Sequence, residues 1–597
     1  MIAGLVLLAV PFILMGLFSD KKRGFIYVLF FSFLFQAVLG ILTQIFGIFY
    51  YGVAVGCTLI ADIILFSIYL KIRLKNKKGF LFNLNAIDWV IIIVALISFL
   101  SLYQVHYNYT GKISLATDQG VSYHEVKNMV YPYPYFSDEW YAVSLVEGSI
   151  DNHSLPLKNL LNNSFFPNLE LFFHSFLAQM ILLLGLNPLL HYTVLSIFLN
   201  TLIVVLVYLF LRISNISKLT AGICSLLALY ISCGANLPGL WQLIPLNLGI
   251  IIFLLSLCFM EFRDIKMVFL SIILASLFYP PLIPFYFIGL LTFLFYRIRI
   301  SKEHLFEIVS RVVLSLFFII PVLYIALMLS PLAEMTNRIF SRIFFTSFMA
   351  PLMPQLNFYN IIPVPAFLLS VFGLYYVYKK KKRILLSELI LGVIFWFFYS
   401  FTVTRFFVEY ERVVIITSII VIIISGFGLK QVEDYIALKF EKNGPRAVKL
   451  TEAVVLLAFL LLIPIYTKAE NWKKLVSINP VSKEITHPKS PANNYLAQDD
   501  IRIFKNIKNK RFLSLPWKGT VVGIATNNYP ILTKQGTISI GSEDVLANFL
   551  QADCQGKETI ARELNLDYIY IYSFNCPGLY KIDESRENLV LYRVKND

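Results

Sequence analysis

The feature that most constrains this chain is a series of long apolar segments that contain no charged residue. The runs 93–102, 250–258 and 413–424 lack charge altogether, and each continues into further apolar sequence on both sides. Extended in this way, they reach the roughly 20 residues that a helix needs to cross a bilayer core. Only 15% of all residues are charged, against about 25% in soluble globular proteins. The sequence therefore predicts a polytopic membrane protein.

The apolar segments predict an all-α membrane domain with about 13–15 transmembrane helices. The first of them starts at residue 2 without a basic region or a small-residue cleavage site, so we expect a retained helix rather than a signal peptide. The predicted helices are 2–18, 24–48, 50–70, 88–104, 168–186, 189–211, 219–233, 240–260, 267–280, 282–297, 311–330, 360–378, 385–404, 412–430 and 450–466.

Basic residues gather between these segments, and they account for the formal net charge of +15. The positive-inside rule places such clusters in the cytoplasm, so the charge does not predict a nucleic-acid partner. The clusters lie at 21–23, 71–78, 212–218, 297–302, 379–383 and 439–449. Counting passes then places loop 105–166 and the tail after residue 467 outside. The pass count agrees with the positive-inside rule if 168–186 does not cross the membrane. We favour this interpretation over the alternative, in which the basic cluster 212–218 is an exception to the rule.

The tail 467–597 has a different pattern, with short apolar runs separated by polar stretches. Tyr568–Tyr572 and Leu589–Val594 have the composition of strands, which predicts a small extracytoplasmic α/β domain. Outside the cytoplasm, Cys554 and Cys576 could form a disulfide.

The most informative polar residues are Asp138 and Glu139, which adjoin each other in the outer loop ahead of a predicted amphipathic helix, 140–147. Adjacent carboxylates can hold a divalent cation, here Mg or Mn, or supply a general base. The alternative is a purely structural role, in which Asp138 caps the helix and Glu139 lies in its first turn.

The order of features after this pair resembles the first outer loop of GT-C glycosyltransferases, which include protein O-mannosyltransferases and the aminoarabinose transferase of lipid A. In that superfamily an acidic pair follows a helix, and a juxtamembrane helix and a Pro-containing segment come next. Asp138 and Glu139 stand at the acidic-pair positions, and 166–168 (Phe-Pro-Asn) stands where two prolines are common. By this resemblance 79–466 is the GT-C-like domain, preceded by extra helices in 1–78 and followed by the soluble domain 467–597.

A second similarity lies in the aromatic-rich segment 404–412, which precedes a helix with a Gly-rich end. It contains Arg405, Tyr410, Glu411 and Arg412. Guanidinium groups bind two phosphate oxygens at once, so Arg405 and Arg412 are candidates for binding a donor phosphate, with Tyr410 and Glu411 lining the site. Anchoring of a helix end at the membrane interface is the alternative.

Four further residues are weaker candidates for lining the site. His124 and Glu125 lie in the outer loop, and Trp241 and Gln242 lie in a loop that the pass count also places outside. The sequence has no glycine-rich nucleotide loop and no His-Glu-x-x-His motif, which agrees with the lipid-linked donors of GT-C enzymes.

The resemblance implies transfer of a sugar from a polyprenyl-phosphate carrier to a glycan, lipid or protein acceptor at the outer face of the cytoplasmic membrane. Asp138 and Glu139 would be catalytic, with a divalent cation as a candidate cofactor and membrane lipids as partners. Two other classes stay open. A transporter or flippase of lipid-linked sugars needs ionisable groups near the bilayer midplane, and a membrane scaffold would not need the acidic pair.

Overall fold

The architecture is known from a computed structural model of the chain. It describes residues 2–16, 21–75, 88–107, 109–117, 120–166, 168, 170–231, 242–296, 333, 362, 364–402, 410–440, 453, 457, 495–534 and 540–595. The predicted helix 311–330 lies outside the described residues, and so does the predicted helix 450–466 apart from residues 453 and 457.

Helices dominate the part of the chain before residue 441, and their bounds follow the apolar segments closely. They are α1 (Ile2–Gly16), α2 (Lys21–Ile45), α3 (Tyr51–Lys75), α4 (Trp89–Tyr107), α5 (Ser137–Asn152), α6 (Leu171–Leu184), α7 (Pro188–Ile213), α8 (Lys218–Leu226), α9 (Pro245–Phe262), α10 (Ile265–Phe278), α11 (Ile283–Tyr296), α12 (Val364–Lys379), α13 (Arg383–Thr402) and α14 (Tyr410–Phe440).

Five of the described helices are long and apolar enough to cross a membrane, and several shorter ones are equally apolar. The five spans are Arg23–Ile45, Tyr51–Ile68, Pro188–Ile213, Pro245–Phe262 and Arg412–Ile436. The last two are almost wholly buried inside the protein, whereas Tyr51–Ile68 is mostly exposed. An apolar helix that exposes most of its surface needs lipid around it. The predicted helical membrane domain is therefore confirmed.

Helix α6 covers the segment that was predicted not to cross. Its 14 residues rise only about 21 Å, less than a bilayer core. Near its start Ser175 accepts a hydrogen bond from Gln44 at the end of α2, and further on Gln179 bonds to Gln36 in the middle of α2. At its end, Leu183 packs against Gly4 in the first turn of α1. These contacts favour a helix confined to the outer half of the bundle, although its topology stays a prediction.

The loop 105–166, which is predicted to lie outside, is folded in the residues that the structure describes. It contains a hairpin of two antiparallel strands, helix α5 and a short second hairpin. The strands are β1 (Tyr109–Thr117), β2 (Gly120–Met129), β3 (Lys158–Asn159) and β4 (Ser164–Phe165). Helix α5 spans more than the predicted 140–147, and residues 139–146 are all buried. An amphipathic helix would expose one side; this one is enclosed.

The C-terminal domain is a mixed five-stranded sheet with helices, as predicted from its strand pattern. Its strand order is β6-β5-β7-β9-β8, with β5 parallel to both of its neighbours and β9 antiparallel to its own. The elements are α15 (Gln498–Phe504), β5 (Arg511–Ser514), α16 (Pro516–Thr526), β6 (Tyr529–Pro530), α17 (Glu543–Gln551), α18 (Cys554–Glu563), β7 (Tyr568–Tyr572), β8 (Leu579–Glu584) and β9 (Leu589–Val594).

Cys554 and Cys576 form a disulfide that joins the start of α18 to the loop after β7. The structure thus pairs the two cysteines whose bonding the sequence left open. Disulfides persist in oxidising compartments, so the pair is compatible with the predicted outer location. Cys57, Cys224 and Cys258, in the described membrane helices, are unpaired.

This domain packs directly on the outer loop, which explains the burial of α5. The hydroxyl of Tyr141 in α5 donates to the carbonyl of Lys534 over 2.9 Å. The hydroxyl of Tyr131 accepts the backbone N–H of Leu496, and its ring stacks on Tyr495. The C-terminal domain therefore borders the acidic pair.

Candidate functional site

Helix α5 places the two predicted carboxylates in opposite environments. The N-cap is Phe136, so Asp138 lies at the second helical position and Glu139 at the third. Asp138 is exposed. The positive end of a helix dipole stabilises an ionised carboxylate in the first turn. Asp138 is therefore the carboxylate of the pair that a molecule at the protein surface can reach.

Glu139 is buried, with 2% of its surface exposed. One carboxylate oxygen accepts the backbone N–H groups of Tyr135 and Phe136, at 3.1 and 3.4 Å. The other accepts the N–H of Leu243 at 3.0 Å. Burial raises the pKa of Glu139 to about 7, against the lowering effect of these three donors. The capping role expected for Asp138 thus falls to Glu139, which also joins α5 to the segment before α9.

Three further side chains hold the segment 242–244 by hydrogen bonds. We call these contacts, together with those of Glu139, the clasp. Tyr192 of α7 donates to the carbonyl of Leu243 at 2.7 Å, and Asn200 donates to that of Gln242 at 3.2 Å. Asn247 of α9 accepts the N–H of Ile244 and donates to Asn200. All three side chains are buried. The clasp fixes the segment 242–244 against α5.

Arg412 lies near the same end of α9. It donates to the hydroxyl of Tyr279, and its guanidinium lies 5.4 Å from the centroid of that ring. Tyr279 in turn packs on Gly249, where an added Cβ would lie 3.0 Å from the tyrosine Cβ. Gly249 and Asn247 share the first turns of α9. The first turns of α9 therefore connect the acidic pair to the one predicted arginine that the structure describes.

The remaining predicted residues are only partly covered. Arg405 and Trp241 lie outside the described residues. Tyr410 and Glu411 begin α14, and His124 and Glu125 lie on β2 opposite Ile113 and Lys112; only the backbone of these four is described. Gln242 is buried in the clasp. The roles proposed for all of them stay predictions.

The acidic pair does not fit the predicted divalent cation as a chelate. Both Glu139 oxygens face backbone donors in a buried site, which leaves Asp138 as the one exposed carboxylate of the pair. Within the described ranges no group of three or more His, Cys, Asp or Glu side chains could hold a metal ion.

Sequence reasoning missed the clasp. Tyr192, Asn200 and Asn247 are isolated polar residues in apolar helices, and that was the signal available. A buried side-chain amide in a membrane helix needs a hydrogen-bond partner. Which partner it finds depends on the packing of α7 against α9.

No protein-family profile matches this chain, and a comparison with curated proteins finds no significant match. Solved structures do match. One is the Archaeoglobus fulgidus oligosaccharyltransferase with a tethered acceptor peptide, at 14% identity and a TM-score of 0.42, covering 85% of this chain and 74% of that one. The same enzyme in complex with Zn and sulfate matches at 13% identity and a TM-score of 0.40, covering 81% and 67%.

This oligosaccharyltransferase is a glycosyltransferase of the GT-C fold.

Proposed function

We propose that this protein is a GT-C-type glycosyltransferase that transfers a sugar from a polyprenyl-phosphate-linked donor to an acceptor at the outer face of the cytoplasmic membrane. The observation that carries the proposal is that the two carboxylates of the acidic pair have different surroundings: Asp138 is exposed and Glu139 is buried. Glu139 is fixed by three backbone donors, and this holds Asp138 exposed at the start of a rigid helix. A general base must be held where it can reach the proton that it removes.

In the proposed reaction Asp138 removes the proton from an acceptor hydroxyl as its oxygen attacks the anomeric carbon of the donor. The bond between that carbon and the phosphate oxygen breaks, and the phosphate leaves with the electron pair. Arg412 stabilises the charge that develops on the phosphate, with Arg405 predicted to assist. A single displacement of this kind inverts the anomeric centre and needs only one base.

Arg412 is prepared for this role by its contact with Tyr279. The hydrogen bond and the ring contact restrict the guanidinium, so less conformational entropy is lost when an anion binds. Since Tyr279 packs on α9, the same helix positions both Arg412 and the clasp. Glu139 is then a positioning residue.

The test is sugar transfer by the purified full-length protein in nanodiscs, with pooled polyprenyl-phosphate sugars as donors and a membrane extract as the acceptor source. We expect Asp138→Asn to lower the rate by about 10²–10⁴-fold and Arg412→Ala by about 10²-fold. Asp151→Asn is the matched control, because Asp151 is an exposed carboxylate on the same helix. Equal rates in Asp138→Asn and Asp151→Asn would refute the site.

One observation favours the transporter alternative. Asp62 lies near the middle of α3 and is buried, and one of its oxygens has no hydrogen-bond partner. An acid at that depth is typical of ion pathways. Asp62→Asn distinguishes the two classes: a transporter would lose uptake or flipping of a lipid-linked sugar, whereas the proposed transferase would keep its rate.

A further inference from the structure

One face of α3 forms a polar stripe that the proposed reaction at the outer face does not use. Among the side chains described in this helix, only Ala54, Thr58 and Asp62 are buried. They recur every four residues, so they lie on the same side of the helix. The span around them, Tyr51–Ile68, is apolar and mostly exposed. The side of α3 that faces the other helices is therefore partly polar.

Hydrogen bonds extend the stripe into α2 and α6. Gln36 of α2 donates to the hydroxyl of Thr58 at 3.2 Å, and Gln179 of α6 donates to the side-chain carbonyl of Gln36 at 2.8 Å. All three side chains are buried. Asp62 follows Thr58 by one turn and lies about 16 Å along α3 from its start, which is close to the middle of a bilayer core. The three helices thus share a polar centre at that depth.

Four buried oxygen atoms in these helices have no hydrogen-bond partner within the described residues. They are Oδ2 of Asp62, Oε1 of Gln179, Oε1 of Gln44 and Oγ of Ser175, and each of these residues is at most 5% exposed. Gln44 and Ser175 lie toward the predicted outer end, where the Gln44 amide donates to the Ser175 carbonyl at 3.4 Å. Unpartnered oxygen atoms in apolar surroundings cost free energy, so the group favours a ligand that oxygen atoms can bind.

The chemistry of these atoms indicates a monovalent cation. Oxygen is the ligand atom that hard cations prefer, and the hydroxyl oxygen of Thr58, which accepts one hydrogen bond, keeps a second lone pair. Asp62 is the one ionisable side chain in the stripe, so a single positive charge balances it. A divalent ion would leave a net charge among apolar helices, which is costly unless that charge is paired.

We propose that the carboxylate of Asp62, the hydroxyl of Thr58 and the amide carbonyl of Gln179 bind a sodium ion between α3 and α6. Gln36 bonds to both Thr58 and Gln179 and so fixes two of the three ligands. The two unpartnered oxygens nearer the outer end line the route by which the ion reaches the site. The bound ion attaches α3, whose span is mostly exposed, to the rest of the membrane domain. An ionisable side chain inside a membrane marks an ion site in many proteins.

The test is sodium binding by the full-length protein in detergent, which needs no sugar transfer. The Tm is followed as choline chloride is replaced by sodium chloride at constant ionic strength, and equilibrium dialysis with radioactive sodium counts the bound ions. The site variants are Asp62→Asn, which removes the charge, and Thr58→Val, which replaces the hydroxyl by a methyl group of similar size. The control variant is Glu388→Gln, because Glu388 is another buried carboxyl of a membrane helix whose oxygens have no hydrogen-bond partner.

We expect wild type and Glu388→Gln to bind one sodium ion, and their Tm to rise with sodium because the ion binds the folded state. Asp62→Asn should bind sodium at least about tenfold more weakly, since the loss of an outer-shell partner alone costs that much at metal sites. Thr58→Val should also weaken binding, because it removes one ligand. If Asp62→Asn does not fold, the comparison of Thr58→Val with wild type decides the question.

An equal Tm of wild type in sodium chloride and in choline chloride, with no bound sodium, would overturn the proposal. Asp62 would then be protonated and would donate a hydrogen bond to a neighbouring oxygen. An equal response to sodium in wild type and in both site variants would also overturn it, because the ion would then act elsewhere. A loss of binding in Glu388→Gln as large as that in Asp62→Asn would have the same meaning.

Discussion

The membrane helices and the C-terminal domain each bury an ionisable group completely, Glu388 and Lys518, but in different surroundings. In α13, Glu388 is fully buried, and neither of its carboxylate oxygens has a hydrogen-bond partner. In the C-terminal domain, Lys518 is also fully buried, but its ammonium lies 2.6 Å from Asp500 and 2.9 Å from Glu587. Tyr570 donates a further hydrogen bond to Asp500 at 2.6 Å. One region buries an isolated acid and the other buries a cluster.

The difference follows from what each region has available for stability. A lone carboxyl among apolar helices avoids the cost of a buried charge by staying protonated. The cluster around Lys518 instead keeps its charges, because the ammonium lies beside the carboxylates of Asp500 and Glu587. Burial alone would lower the pKa of Lys518, but Asp500 and Glu587 outweigh it and raise the pKa. The small domain thus relies on cross-links, ionic in this cluster and covalent at Cys554–Cys576, where the membrane domain relies on extensive apolar packing.

Removing the buried cation should have the largest effect on stability. Lys518→Met leaves two carboxylates facing each other without a counter-charge, and we expect a loss of about 3–5 kcal/mol in the C-terminal domain. Hydrogen exchange of the β7 amides in the full-length protein measures this loss of stability. Lys510→Met is the control, because the exposed pair of Lys510 with Asp567 contributes less than about 1 kcal/mol. Equal protection in the two variants would contradict an ionic cross-link.

Opening the disulfide should cost slightly less. Cys554 and Cys576 are separated by 22 positions, and closing a loop of this length stabilises by about 3 kcal/mol. We expect Cys554→Ser with Cys576→Ser to lower the Tm of the C-terminal domain and to leave the membrane helices unchanged. Non-reducing peptide mapping of wild type should recover the linked pair. Free thiols at both positions in wild type would refute the covalent cross-link.

Glu139 lies at the boundary between the two regions. Its titration should change the free energy of unfolding by up to about 3 kcal/mol. Burial raises the pKa of Glu139 from an ordinary 4.5 to about 7, so the folded protein binds this proton more tightly than the unfolded chain does. Stability contributed by Glu139 is therefore fully present below about pH 4.5 and is lost as the pH rises to about 7.

Thermal unfolding between pH 5 and about 7.5 measures this slope. Glu139→Gln, which cannot ionise, should reduce it without abolishing it, because burial also raises the pKa of Glu147 to about 7. A wild-type Tm that increases over this range would show that Glu139 is charged throughout.

The smallest effect on stability is expected for Glu388 in α13. Glu388→Gln replaces the carboxyl by an amide of the same shape, so the Tm should change little, by the equivalent of less than about 1 kcal/mol. Glu388→Leu should be neutral or stabilising, because it removes a buried polar group that has no partner. A large loss of stability in Glu388→Leu would mean that the carboxyl forms a contact essential to the fold.

Much of the architecture was predictable because it depends on local sequence. Helix α7 begins one residue from its predicted start, and β7 and β9 have their predicted bounds. An apolar run long enough to cross a bilayer is helical because lipid offers no other partner for its backbone groups. Neighbouring residues are sufficient to set such a preference.

The sequence by itself thus determined a helical membrane domain and a C-terminal α/β domain, and it singled out Asp138 and Glu139 as adjacent carboxylates at the start of a helix. Only the tertiary structure decided that Asp138 is exposed while Glu139 is buried, since one of the three donors that fix Glu139 belongs to Leu243, 104 positions away. It also decided that the C-terminal domain encloses α5. Contacts of this kind depend on which surfaces remain to be covered once the helices have formed, and no local pattern records them.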